Sequence, residues 1–193
     1  MNARPINEEM IRQTRAFHGH MCPGLAIGIR AAEVALREIG PHSQDEEVVA
    51  VVETDMCGVD AIQFLTGCTF GKGNLIHLDY GKSAFTFFRR SDGKALRVVA
   101  QPGGAGPPDP EWQTLREKWT KEALTPEEQE RFNVLHEARC RQILATPLEQ
   151  LFEVKEPEMK MPRPARIMDS VSCDECGELT METRTRRFRG KTL

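Results

Sequence analysis

EEVVAVVETDMCGVDAIQFLTGCTFGKGN, residues 46–74, passes from a β-branched apolar run into a short helix-forming stretch and then into a glycine-rich turn. EEVVAVVETD (46–55) is too short for an ordinary helix and apolar at consecutive positions, so it reads as a buried strand. The chain turns at Cys57-Gly58 into a short helix, VDAIQFLTG. Three further β-type runs follow: LIHLDYG, SAFTFFRR and ALRVVAQP. The last two are joined by SDGK, whose Asp92-Gly93 pair marks a tight hairpin. The core is therefore mixed α and β, not all-helical.

Helices are expected on either side. In residues 7–17, Asn7 is competent to cap, and Met10, Ile11, Thr14 and Phe17 share one helical face. Leu25, Ile29, Ala32 and Leu36 repeat at helical spacing over 24–39, on a face of small residues suited to close packing. QPGGAGPPDP (101–110) breaks the pattern, and two helices follow, PEWQTLREKWTKEAL and TPEEQERFNVLHEARCRQILAT, the second opened by Thr125 with Pro126 just inside. The prolines of KEPEMKMPRPAR mark a second break. The expected organisation is a core domain at 1–154, a linker at 155–169 and a small C-terminal domain at 170–193.

The chain has 193 residues, 28% of them charged, and a formal net charge of −3. This balance lacks the basic excess of a nucleic-acid-binding protein. No stretch approaches a membrane span, and MNARPINEEMIRQ lacks the apolar region of a secretory signal, so a cytoplasmic protein is expected. In a reducing compartment its six cysteines are to be judged as metal ligands, reactive thiols or small buried hydrophobes.

FHGHMCPG (17–24) places His18, His20 and Cys22 within five positions. Pro23 disfavours a helical Cys22 and suits the first turn of the next helix, so Cys22 is expected to cap it, with sulfur at the positive helix end where thiolate is favoured. Gly19 leaves both histidines free to turn toward one point. Each residue alone reads as structural; three together in a Gly- and Pro-punctuated loop read as a shared site. Cys57 and Cys68 flank the short helix at loop positions, and Asp60 in its first turn either stabilises the helix end or serves the site. GCTFGKGN is not a phosphate loop: three residues, not four, separate its glycines, and Gly73 follows Lys72 where Ser or Thr is required. Lys72 is expected to be solvated, and His77 to pair structurally with Asp79 along a strand.

These motifs, FHGHMCPG with GLAIGIRAA, ETDMCGVDAIQFLTGCTFGKGNL and a CDECGEL knuckle, resemble those of the FmdE family, associated with molybdenum formylmethanofuran dehydrogenase. The first two cover roughly residues 11–80. The resemblance implies an α+β fold, a thioredoxin-like mixed sheet flanked by helices, with a C-terminal treble-clef zinc finger. It also implies a zinc-holding cleft lined by His18, His20, Cys22, Cys57 and Cys68, with Cys22 as ligand or nucleophile and Asp60 as base or supporting group. A homodimer is expected, and the partners implied are molybdenum oxidoreductase subunits, the protein being either an enzyme or an accessory, metal-delivering component. The family name does not fix a reaction, since such proteins also occur in bacteria without that pathway.

The tail departs from the family pattern. Cys173 and Cys176 supply half of a four-cysteine zinc site, and no cysteine follows before GKTL. Either the sequence is cut just before a second pair or other groups complete the site, Cys140 and Asp174 being the substitutes at hand; Cys140 reads rather as a buried helix residue. Thiol-disulfide exchange is the weaker reading of the core, because no CxxC falls there.

Overall fold

A computed structural model describes residues 6–193. Residues 1–5, which open the stretch read as lacking a signal, lie outside them. The chain forms two compact units that divide between Arg163 and Pro164, inside the segment marked by prolines.

In the first unit, strands β1 (Val48–Val52), β2 (Leu75–His77), β3 (Ala84–Arg89), β4 (Ala95–Ala100) and β5 (Phe152–Lys155) form one sheet in the order β2-β1-β3-β4-β5. β1 and β2 are parallel, with Ala50 opposite Leu75, and the other neighbours are antiparallel. The uninterrupted apolar run of β1 has a direct cause. Val48, Ala50 and Val52 face a core shared with helices α2 (Pro23–Glu38) and α3 (Gly58–Thr66), whereas Val49 and Val51 face a second cluster with Phe88, Met159 and Met161. Both faces are covered, so no position can be polar. The strand is shorter than the 46–55 read from sequence, because the backbone leaves the ladder after Val52.

The helix signals work as expected. Asn7 caps α1 (Glu8–His18) by accepting from the Met10 N–H, and Thr125 and Glu128 form a reciprocal capping box at the start of α5 (Pro126–Ala145). α4 (Pro110–Trp119) pairs with α5 through Trp112, Leu115, Phe132 and Leu135. Buried Glu33 on α2 pairs with Arg30 and Arg37, and Arg30 reaches the carbonyl of Thr146 at the end of α5, so the one buried acid of α2 is neutralised where α5 closes over it.

Three features differ from the sequence reading. β5 and the four-residue helix α6 (Leu148–Leu151) before it are not signalled: β5 is an edge strand with one buried residue, Phe152, too short for a two-residue period to show. Lys72 is not solvated but half-buried, its Nζ donating to the Ser43 carbonyl at 2.9 Å. Asp79 lies beyond the end of β2, and both it and His77 are exposed, so the period-2 pairing expected of them has no strand to act on. Among the described residues no helix is long and apolar enough to cross a membrane.

In the second unit, Pro164–Leu193, β6 (Ser170–Ser172) pairs with β7 (Leu179–Met181), and β8 (Arg187–Phe188) with β9 (Lys191–Thr192).

α2 and α3 cross in backbone contact. A Cβ on Gly28 would overlap the Gly58 carbonyl, and no side-chain rotation could relieve a clash with backbone. Gly28→Ala gains about 1 kcal/mol of helix propensity but is expected to lose about 2 kcal/mol or more net by forcing the helices apart, read as a lower urea midpoint at unchanged slope.

Candidate metal centre

The crossing of α2 and α3 puts their N-termini side by side, and each carries a cysteine. Cys22 is the N-cap of α2, in extended conformation, and its Sγ accepts the Leu25 N–H at 3.3 Å. Pro23 at the first helical position enforces that geometry. Cys57 caps α3 with helical backbone angles and no side-chain capping bond, so its sulfur is free to turn elsewhere. It turns toward Cys22.

The third member arrives from α1. His18 closes that helix, and Gly19 ends it in a left-handed conformation (φ 95°), its N–H bonded to the Arg15 carbonyl. Phe17 and Phe64, with ring centroids 5.6 Å apart, pin α1 against α3. His18 Nδ1 lies 2.6 Å from Asp60 Oδ2 in the first turn of α3. Its side chain is only 11% exposed, and Nε2 is buried with no hydrogen-bond partner.

One ligand atom each from His18, Cys22 and Cys57 lies within 4.8 Å of the others, the one such cluster of His, Cys, Asp or Glu among the described residues. The arrangement fits a metal on its own chemistry. A carboxylate on Nδ1 fixes the proton there and leaves the Nε2 lone pair free for a cation, which is how metal-bound imidazoles are held. An orphaned buried nitrogen costs about 1–3 kcal/mol, which a cation would offset. Burial pushes the Cys57 thiol above its ordinary value, and the Cys22 sulfur and Asp60 push it the same way. Two sulfurs so close cannot both carry charge without a cation between them.

The other residues singled out by sequence fall elsewhere. His20 meets the His18 ring at a tilt of 37° with centroids 4.6 Å apart, but it is exposed and opens on a different cavity with His136 and Cys140. Cys68, past the far end of α3, is fully buried; its Sγ donates to the Val48 carbonyl at 3.4 Å and burial pushes its thiol to about 11. Cys140 is buried in α5, pushed to about 12 by burial and secondarily by Cys22, and is not a member of the ligand cluster. In the tail, Cys173 accepts backbone N–H groups of Cys176 and Glu175, which lower its thiol's pKa, while Cys176 Sγ lies 3.8 Å from Glu178 Oε2. Sequence spacing could not separate His20 from His18; the left-handed turn at Gly19 does.

The sequence profile described as "FmdE, Molybdenum formylmethanofuran dehydrogenase operon" matches residues 17–153, a span that holds the whole cluster. This chain belongs to the FmdE family. A crystallised FmdE-like protein of tungsten formylmethanofuran dehydrogenase type, from Syntrophus aciditrophicus, is similar in structure, with a TM-score of 0.56 and 28% identity over 95% of this chain and 92% of that one. A protein of Archaeoglobus fulgidus described as "Probable S-adenosyl-L-methionine-binding protein" is 32% identical over 194 residues, which cover 92% of this FmdE chain. The chain spans 50% of that relative's length.

Removing the carboxylate that orients His18 isolates its contribution. Asp60→Asn is expected to weaken the cluster's affinity for an added divalent cation roughly 10- to 100-fold with little change in melting temperature, measured by competition with a chromogenic chelator.

Proposed function

We propose that this FmdE protein binds one zinc ion in its core through His18 Nε2, Cys22 Sγ and Cys57 Sγ and uses it in catalysis. The observation that carries the reading is the clustering of His18 with the sulfurs of Cys22 and Cys57, together with the buried, unpartnered Nε2 of that histidine. Two thiolates and one imidazole suit zinc among the common divalent ions, and three protein ligands leave a fourth position for a substrate or water. Zinc so held supplies Lewis acidity toward a carbonyl or a water acidified toward neutrality.

The chain's own groups divide the remaining work. Asp60 is a positioning residue: it holds the proton on His18 Nδ1 and keeps the ring aimed. Cys22, anchored by the Leu25 N–H, is the rigid ligand. Cys57 has no capping bond to hold its sulfur, and it would shed its proton on binding the cation. His20 and Cys68, read from sequence as further ligands, have roles outside the coordination sphere in this reading: Cys68 packs beneath β1 and His20 borders the site through its contact with the His18 ring.

The family's link to a formylmethanofuran dehydrogenase operon supports a second reading, an accessory protein that holds or delivers the metal to a molybdenum enzyme; the relative's name adds S-adenosylmethionine as a ligand to test. The thioredoxin-like description of the core, supported by the mixed sheet, the homodimer and the cytoplasmic location go with either reading. So does a zinc-finger role for the tail, where Cys173 and Cys176 form a half-site.

Elemental analysis of the full chain tests the core assignment. His18→Ala, Cys22→Ser and Cys57→Ser are each expected to lose the core zinc, whereas Cys173→Ala/Cys176→Ala retains it. Cys68→Ala is expected to keep its zinc while losing about 1–2 kcal/mol of stability. Core zinc persisting in the His18/Cys22/Cys57 triple variant would refute the reading.

A further inference from the structure

Residues next to the two cysteines in sequence, Pro23, Gly24, Met56 and Gly58, line a cavity of about 480 Å³ whose chemistry is one-sided. Gly24 belongs to its wall, and a Cβ built there would lie 3.8 Å from Cys57 Sγ and 3.9 Å from Cys22 Sγ. One residue of the wall thus lies against both sulfurs, although neither cysteine lines the cavity itself. A larger cavity, about 830 Å³, between α1 and α3 is lined mainly by apolar groups such as Met10, Phe17 and Phe64.

Among the described residues of the smaller cavity's wall there is no Asp or Glu, yet there are two arginines, Arg116 and Arg139. Arg116 lies over the Trp112 ring, 5.4 Å from its centroid, and Trp112 itself forms part of the wall together with Phe85. Arg139 donates from one nitrogen, Nη1, to the carbonyls of Ala105 and Gly106 at 3.1 Å and to Gln142 Oε1. That anchors its fork without neutralising it, and partial burial lowers its pKa. Neither guanidinium forms an ion pair with a described carboxylate, whereas Arg30, Arg89, Arg97 and Arg131 all do. The first turns of α2 and α3, at Pro23, Gly24 and Gly58, add the positive ends of two helices to the same wall.

We propose that this cavity binds a small organic anion, whose carboxylate or phosphate is held by Arg116 and Arg139 and whose flat or apolar body lies against Trp112 and Phe85. Uncompensated arginines beside aromatic faces are a standard means of selecting such ligands. The proposal rests on the metal reading only for the statement that the ligand's other end reaches the sulfur site past Gly24.

The chain's two tryptophans make the test direct. In Trp119→Phe, Trp112 is the sole tryptophan and reports on the cavity. Benzoate and phenyl phosphate, as carboxylate and phosphate probes, are titrated against the neutral benzamide and the cationic benzylamine. At least one anion is expected to give a saturable fluorescence change, with both comparators tenfold weaker or more. Arg116→Gln, at an exposed position that no described carboxylate holds, is expected to weaken the anion about tenfold while leaving the melting temperature unchanged. Arg139→Gln should do the same unless loss of the Ala105 and Gly106 bonds unfolds it, in which case Arg116→Gln decides. No response to either anion, equal response to benzamide, or an unaltered affinity in Arg116→Gln overturns the proposal. Zinc measured on the same samples keeps the two readings apart: zinc retained without anion binding defeats the anion site alone, and anion binding without core zinc defeats the metal reading alone.

Discussion

Gly28 and Gly58 touch backbone to backbone where α2 crosses α3, and the position of every group at the site follows from that contact. A side chain at Gly28 would force the helix axes apart, and one at Gly58 would press on the Gly24 carbonyl at 3.2 Å. Their N-termini would move apart with them, and so would Cys22 and Cys57, whose sulfurs must lie within a metal's reach of each other. Close packing here is a geometric requirement of the chemistry as well as a source of stability. The small residues of α2 and the short α3 are the sequence-level traces of that requirement.

The two sulfurs do not hold equivalent positions. Cys22 has its sulfur engaged by a backbone N–H and its extended backbone fixed by Pro23. Cys57 sits on helical backbone with an uncommitted sulfur. His18 is set by a third mechanism, a carboxylate on another helix. A site assembled from a cap, a free helix end and a buttressed imidazole draws on three separate elements, so it exists only when α1, α2 and α3 are all docked. Assembly of the His/Cys cluster and docking of α1 are thereby coupled, because His18 is the last residue of α1 and Phe17 beside it packs on Phe64.

Charge is distributed around the site with the same economy. Buried acids elsewhere in the core, Glu33 and Glu53, are each paired with arginine. The cavity next to the sulfurs instead has arginines and no acids. In a chain with a net negative charge, such a local excess of cation is a property of the folded arrangement. α4, α5 and the loop at 103–106 meet there, and none of these segments carries a recognisable ligand motif of its own.

The features legible along the chain are local. The apolar run of β1, the Asp92-Gly93 hairpin, the Asn7 and Thr125 caps and the Cys22-Pro23 helix start each depend on residues within a few positions of one another, so pattern and propensity reveal them. FHGHMCPG and the Cys57 turn were legible as chemistry for the same reason. Only the tertiary structure decided which candidates share a point in space. His18 was separated from His20 by the left-handed turn at Gly19, Cys57 from Cys68 by the length of α3, and Asp60 was committed to His18 by the docking of α1. Those choices depend on helix crossing and on contacts between residues some 40 positions apart. The edge strand β5 escaped notice for a related reason: its partner β4 lies more than 50 residues earlier, and four residues with one buried side chain carry too little pattern to announce a pairing.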